Sequence, residues 1–211
     1  MAAFNFSMAP LERKIFISFQ SVKFTKVKDS LSMLLNFLKN PKETGAIAVS
    51  SKYLTNEIIK NIDFKNSRCI VELGSGLGTV TKSILRNANP NAKVVCFEIN
   101  ERFCAHISKN CFDRRLIVIN ADAGKIREKL NELQLSKADC IVSCLPFINL
   151  SKAKRKKIIS GAKDALKEGG RFILYQYSNN LGKMLDLHFS KVKRTFVPFN
   201  LPPCFVYVCE N

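Results

Sequence analysis

Residues 72–78, Glu72-Leu73-Gly74-Ser75-Gly76-Leu77-Gly78, carry the clearest chemical signal in this chain. Closely spaced glycines let backbone turn tightly and approach a ligand, and a helix opening behind them favours anionic groups. Glu98 follows Gly78 by twenty residues, the spacing that sets a carboxylate on ribose hydroxyls at the end of the next strand. The dinucleotide fingerprint G-x-G-x-x-G is not met, because Thr79 stands where its third glycine belongs. Two more stretches follow apolar runs: Asn120-Ala121-Asp122-Ala123 and Ser143-Cys144-Leu145-Pro146-Phe147. The cysteines read as structural free thiols in a reducing compartment rather than as a metal site. They contain no C-x-x-C pair, and His occurs only at 106 and 188.

These residues need a scaffold, and the apolar pattern supplies one. Strands are expected at Arg68–Leu73, Lys93–Glu98, Leu116–Asn120, Ala138–Cys144 and Arg171–Tyr177. Helices are expected at Ser50–Asn61, Thr79–Asn87, Glu101–Asn110, Gly124–Leu133 and Ser151–Lys167, the last closed by Gly169-Gly170. Short, nearly continuous apolar strands separated by helices indicate a parallel sheet covered on both faces. The last two strands, Val192–Val197 and Phe205–Cys209, have no helix between them and should pair antiparallel. The fold class is therefore α/β: a Rossmann-like doubly wound sheet, mostly parallel, with a C-terminal antiparallel hairpin and N-terminal helices. Asn200-Leu201-Pro202-Pro203 reads as the hairpin's turn.

With E-x-G-x-G-x-G, a carboxylate after the second strand and an Asp after the third, the chain resembles the class I S-adenosylmethionine-dependent methyltransferases over about residues 46–211. By that likeness Glu72, Gly74, Gly76 and Gly78 form the cofactor loop, with Gly74 and Gly76 nearest the methionine part. Glu98 holds the ribose, and Asp122 with Ala123 reads adenine. The loop after the fourth strand is where such enzymes meet the methyl acceptor. Ribosomal-RNA adenine dimethylases have N-L-P-Y there, whose Asn accepts from the adenine amine; Cys144 replaces it here, and a thiol is a poor acceptor. A closer resemblance is to the soluble bacterial phosphatidylethanolamine N-methyltransferases. It rests on Gly45-Ala46-Ile47-Ala48 with Ser50-Ser51, Glu72–Gly78, Ser143–Phe147, Gln176-Tyr177 and Asn200–Pro203. It implies transfer of methyl from S-adenosylmethionine to a lipid amine, with Leu145, Pro146 and Phe147 on the substrate and Tyr177 as the catalytic candidate. RNA adenine methylation, or a non-catalytic lipid- or RNA-binding module, remains the alternative.

Composition agrees with a globular enzyme and adds a partner. The chain has 211 residues with 34 Lys+Arg against 17 Asp+Glu, a net charge of +17. No uncharged stretch reaches the ~18–20 residues of a spanning helix. Residues 1–45 form a separate basic segment, in which Phe24, Val27, Leu31, Leu34, Leu35 and Leu38 recur at helical spacing among lysines. Lys152, Lys154, Arg155, Lys156 and Lys157 open the helix behind the acceptor loop, against its dipole. The first reads either as a helical cover packed on the domain or as an element for a membrane interface or a polyanion, and the second either as a solvated helix face or as a contact for an outside partner, an anionic membrane surface or RNA. The expectation is a monomer without metal, cytoplasmic and peripherally attached to the inner face of the membrane.

Overall fold

The structure is a computed structural model and describes residues 51–200 and 202–211. The segment 1–45, its expected helix, and the matches at Gly45–Ala48, Ser50 and Leu201 lie outside the described residues.

The elements alternate in the order β1 (Cys69–Leu73), β2 (Lys93–Glu98), β3 (Leu116–Asn120), β4 (Ala138–Ser143) and β5 (Leu166–Gln176), then the consecutive strands β6 (Lys191–Val197) and β7 (Cys204–Glu210). The helices are α1 (Lys52–Ile59) before β1, α2 (Thr79–Asn87), α3 (Glu101–Asn110), α4 (Ile126–Glu132), α5 (Lys152–Ala165) and α6 (Gly182–Asp186). The seven strands form one sheet in the order β3-β2-β1-β4-β5-β7-β6. β1 pairs in parallel with β2 and β4, while β7 runs antiparallel to both β5 and β6. The expected architecture, including the terminal hairpin, is the one observed.

Every residue of β1 is buried, which explains its unbroken apolar run: a central parallel strand has core on both faces. One face packs Leu54 and Ile58 of α1 with Val80 and Ile84 of α2. The other packs Ile126 and Leu130 of α4 with Ile158, Ile159 and Ala162 of α5 and Leu185 of α6. The starts of α1, α3 and α5 carry side-chain caps: Ser51 accepts from Leu54 N, Asn100 from Arg102 N and Phe103 N, and Ser151 from Lys154 N. The edge strand β6 presents Lys191, Lys193 and Arg194, charges that disfavour pairing with another chain.

Elements α4, α5, β5 and α6 differ from the sequence reading. The helix expected over Ser151–Lys167 stops at Ala165, and Gly169-Gly170 lies inside β5 rather than closing the helix. Gly169, at φ +69°, makes a register shift, so that Ala138 faces Leu166 but Cys140 faces Arg171. The helix expected from Gly124 begins as a 3-10 turn, Ala123–Lys125, because Asp122 accepts from Gly124 N and sets a tight start. The short α6 had no signal in the apolar pattern.

Five of the eight free cysteines lie on strands: Cys69, Cys96, Cys140, Cys204 and Cys209. Burial pushes their thiols up, to about 11 for Cys69 and Cys204 and about 12 for Cys140 and Cys209. At the amino edge of the sheet, Asp139 accepts from Arg68 N at 2.7 Å and Cys69 N at 2.8 Å, and from Lys167 Nζ at 2.6 Å.

Candidate active site

Strand order reverses between β1 and β4, so the loops leaving their carboxyl ends diverge and open a crevice. Gly74 N donates to Phe97 O at 2.8 Å and Cys144 N to Leu73 O at 2.9 Å, so the glycine loop and the acceptor loop depart side by side. Gly74, Gly76 and Gly78 have φ of +77°, +51° and +78°, the left-handed region that L side chains rarely adopt. At Gly74 a Cβ would also lie 2.7 Å from Leu145 Cδ2, so glycine is what lets the acceptor loop close over the cofactor loop.

Glu98 is buried at the end of β2. Its Oε2 accepts from Gly76 N at 2.9 Å and its Oε1 from Asn100 N at 3.0 Å. The carboxylate thus holds the glycine loop and still has about two of its four lone-pair positions free. Asp122 accepts from Gly124 N at 2.7 Å and forms an ion pair with Lys154 of α5. Burial opposes its ionisation, but the Lys154 and Gly124 bonds and the charges of Lys154 and Lys157 outweigh it and hold the carboxyl below its usual range. Ala123, next to it, is buried in the core.

Glu72 does not open onto the crevice. It is fully buried beneath the glycine loop, where Thr81 Oγ1 donates to its Oε2 at 2.5 Å and Cys96 Sγ approaches the same oxygen at 3.4 Å. Burial pushes its carboxyl up to about 7, against the lowering pull of those hydrogen bonds. Cys144 Sγ lies 4.0 Å from Glu72 Oε1, so the thiol that replaces the dimethylase Asn turns inward, and burial drives its own ionisation well above the ordinary thiol range.

Leu145 and Pro146 are partly exposed at the mouth, whereas Phe147 is only 1% exposed and packs in the core under α5. The Phe147 ring anchors the loop from below and is not presented to a ligand. Gln176, buried at the end of β5, donates from Nε2 to Leu145 O at 3.0 Å and fixes the loop from the side. Tyr177 follows, partly buried; burial pushes its phenol up, opposed by hydrogen bonds to Asn200 and Tyr175, and the Tyr175 ring stands 5.8 Å away edge-on. Asn200 is nearly fully buried in the β6–β7 turn, accepts from Ser51 N at 3.4 Å and donates to Pro202 O at 2.7 Å.

The structure therefore brings Gly74, Gly76, Gly78, Glu98, Asp122, Leu145, Pro146 and Tyr177 to one edge of the sheet, and sets Glu72, Ala123 and Phe147 beneath it. Sequence reasoning missed Thr81, Lys154 and Asn200 as partners. In the sequence Lys154 stood out only as one charge of the basic run and Asn200 only as part of the hairpin's turn, and nothing local marked Thr81. The arrangement fits the cofactor implied by the resemblance: a left-handed glycine cradle beside a buried carboxylate with spare acceptor capacity, and a second carboxylate one strand further out. Among the described residues no cluster of His, Cys, Asp or Glu could hold a metal ion.

Comparison with known proteins agrees with this geometry. Residues 36–174 match the family described as ribosomal RNA adenine dimethylase. The chain is 28% identical over 193 residues to an ornithine lipid N-methyltransferase of Singulisphaera acidiphila, covering 88% of this chain and 97% of that protein. Among solved structures, a precorrin-6y C5,15-methyltransferase from Geobacter metallireducens superposes with a TM-score of 0.63 at 15% identity, covering 80% of this chain and 94% of that one. A magnesium protoporphyrin IX methyltransferase from Synechocystis with bound S-adenosylmethionine gives 0.59 at 12% identity, covering 74% and 77%.

Proposed function

We propose that this chain, which belongs to the ribosomal RNA adenine dimethylase family and is a class I S-adenosylmethionine-dependent methyltransferase, methylates the amine of a membrane lipid rather than RNA adenine. The observation that carries the choice is the inward turn of Cys144 toward Glu72. At that position an adenine methylase needs an outward acceptor for the base amine, and leaving that donor unpaired in a closed site costs about 1–3 kcal/mol. The lipid-methylating relative, aligned over nearly its whole length, supports the same reading. Phosphatidylethanolamine is the proposed substrate, and that relative makes ornithine lipid the second.

S-adenosylmethionine supplies a methyl group on a sulfonium for in-line displacement by an amine. Gly74, Gly76 and Gly78 would hold its methionine part, Glu98 the ribose, and Asp122 the adenine edge. For Asp122 to do so it must share its carboxylate with Lys154. Leu145 and Pro146 would wall the acceptor slot and exclude water. The amine must arrive without its proton, although its ordinary pKa is about 10.4, so desolvation in the slot must favour the neutral form. The Tyr177 hydroxyl, kept protonated by burial, would accept an amine N–H and orient the lone pair, and its ring would meet the cation that develops, worth roughly 0.5–2 kcal/mol.

Incubation with methyl-labelled S-adenosylmethionine tests the reading against phosphatidylethanolamine vesicles, ornithine lipid and ribosomal RNA in parallel. Label in phosphatidylethanolamine is expected. Label in ornithine lipid alone would move the substrate to the second lipid, and label in RNA alone would overturn the lipid reading.

A further inference from the structure

Large apolar side chains stand in solvent at the carboxyl edge of the sheet. Tyr53, in the first turn of α1, is 59% exposed, and Phe199, in the β6–β7 turn, is 72% exposed. Their rings meet at 5.4 Å, tilted by 41°, yet each keeps more than half its surface in water. Ile148 of the acceptor loop is 58% exposed, and its carbonyl accepts from Arg155 Nη2 at 3.0 Å, which fixes it against the start of α5. That start presents Lys152, Lys156 and Lys157, all exposed, with no acidic residue in its first turn.

The two groups sit on opposite faces. α1 belongs to the core of one face and α5 to that of the other. Between them lie the ends of β4, β5 and β7, neighbours in the sheet, so the acceptor loop and the hairpin turn are separated by two strand spacings, roughly 10 Å. Aromatic and lysine side chains together suit a bilayer interface: the rings prefer the headgroup level, and the ammonium groups meet anionic lipid. A polyanion without an apolar layer would engage the lysines but gain nothing from Ile148.

We infer that this edge is a docking surface for an anionic lipid bilayer, with Tyr53 and Phe199 entering the interface on one side of the acceptor slot and, on the other, Ile148 entering it beside Lys152, Lys156 and Lys157, which meet lipid phosphates. The inference rests on the lipid reading above and adds the orientation: the slot faces the membrane, and a headgroup rises into it between the aromatic pair and the basic turn.

The chain contains no tryptophan, so Phe199→Trp installs a single fluorescent reporter in the full-length protein. Phe112→Trp, at a position 91% exposed in the loop after α3 at the other edge of the sheet, is the control. With vesicles of equal parts phosphatidylglycerol and phosphatidylethanolamine, the indole emission of the Phe199→Trp variant should shift to the blue, while the control pellets equally and does not shift. Replacing Lys152 and Lys156 by Glu should lower vesicle affinity by more than about tenfold and flatten its salt dependence. Pelleting of the Phe199→Trp variant without an emission shift, emission already blue before vesicles are added, or the same shift with ribosomal RNA would each overturn the docking surface. Methylation of phosphatidylethanolamine dispersed in nonionic detergent by the wild-type protein separates the two readings. Label there without a vesicle shift refutes only the docking, and no label there refutes phosphatidylethanolamine as the substrate.

Discussion

Glu72→Gln should remove a pH dependence of stability that one buried carboxyl imposes on the wild-type protein. The side chain is fully buried, and its carboxyl is pushed from the ordinary 4.5 up to about 7. Below pH 4.5 the group is protonated in both folded and unfolded chains and contributes nothing. Between 4.5 and 7 the unfolded chain releases the proton while the folded one keeps it. The unfolded state then binds fewer protons, so stability falls as pH rises. Above 7 the loss levels off at about 3 kcal/mol, from 1.36 kcal/mol per pKa unit. Glutamine has the same shape and no charge; it weakens the Thr81 hydrogen bond by about 1 kcal/mol at every pH. Urea unfolding of both proteins from below pH 4.5 to above pH 7 isolates the effect, because all other titrating groups are common to the pair. The variant should be the less stable in acid and the more stable by roughly 2 kcal/mol at the alkaline end. Parallel stability curves would show that Glu72 titrates as it does in an open chain, and would refute the burial argument.

Three other outcomes are expected. Glu98→Ala leaves Gly76 N and Asn100 N without their acceptor as well as the ribose, so calorimetry should show S-adenosylmethionine affinity reduced by more than about tenfold with circular dichroism unchanged. Gly74→Ala forces a side chain at φ +77° and against Leu145, so thermal or urea unfolding should show a loss of about 1–3 kcal/mol, and truncating Leu145 should restore only the contact part. Asp139→Ala removes the acceptor for two backbone N–H groups and the partner of Lys167, costing about 2–3 kcal/mol in denaturant while cofactor affinity stays the same, since Asp139 lies at the far edge of the sheet.

Periodicity made the parallel core legible: the bounds of α2, β2, α3 and β3 agree with those read from the apolar runs, because these elements bury one stripe or both faces in the ordinary way. It failed where backbone, not burial, sets the boundary. Gly169-Gly170 resembles a helix stop, but the positive φ serves a bulge within β5, and α6 is too short to show a period. At the site, a motif could name Glu98 and Asp122 because their positions follow from strand ends. It could not reveal that Glu72 is roofed over by its own loop or that Phe147 faces the core, since both depend on side-chain direction. The partners Thr81, Lys154 and Asn200 arrive from 9, 32 and 149 residues away in sequence, on Glu72, Asp122 and Ser51, and only the closed sheet brings them into reach.

The thiols buried on the strands offer a use unrelated to methyl transfer. Each is unreactive while its strand is paired, because burial keeps it protonated and shields it from reagent, and each becomes an ordinary thiol once the strand opens. Cys69, Cys96, Cys140 and the pair Cys204 and Cys209 sit on four of the seven strands, from β2 across to the terminal hairpin. The wild-type sequence therefore carries its own set of labelling sites: alkylation under native conditions, read site by site by mass, would time the opening of each strand separately. A hairpin that detaches before the parallel core would expose Cys204 and Cys209 first, whereas a sheet that opens as one unit would release all five at a single rate.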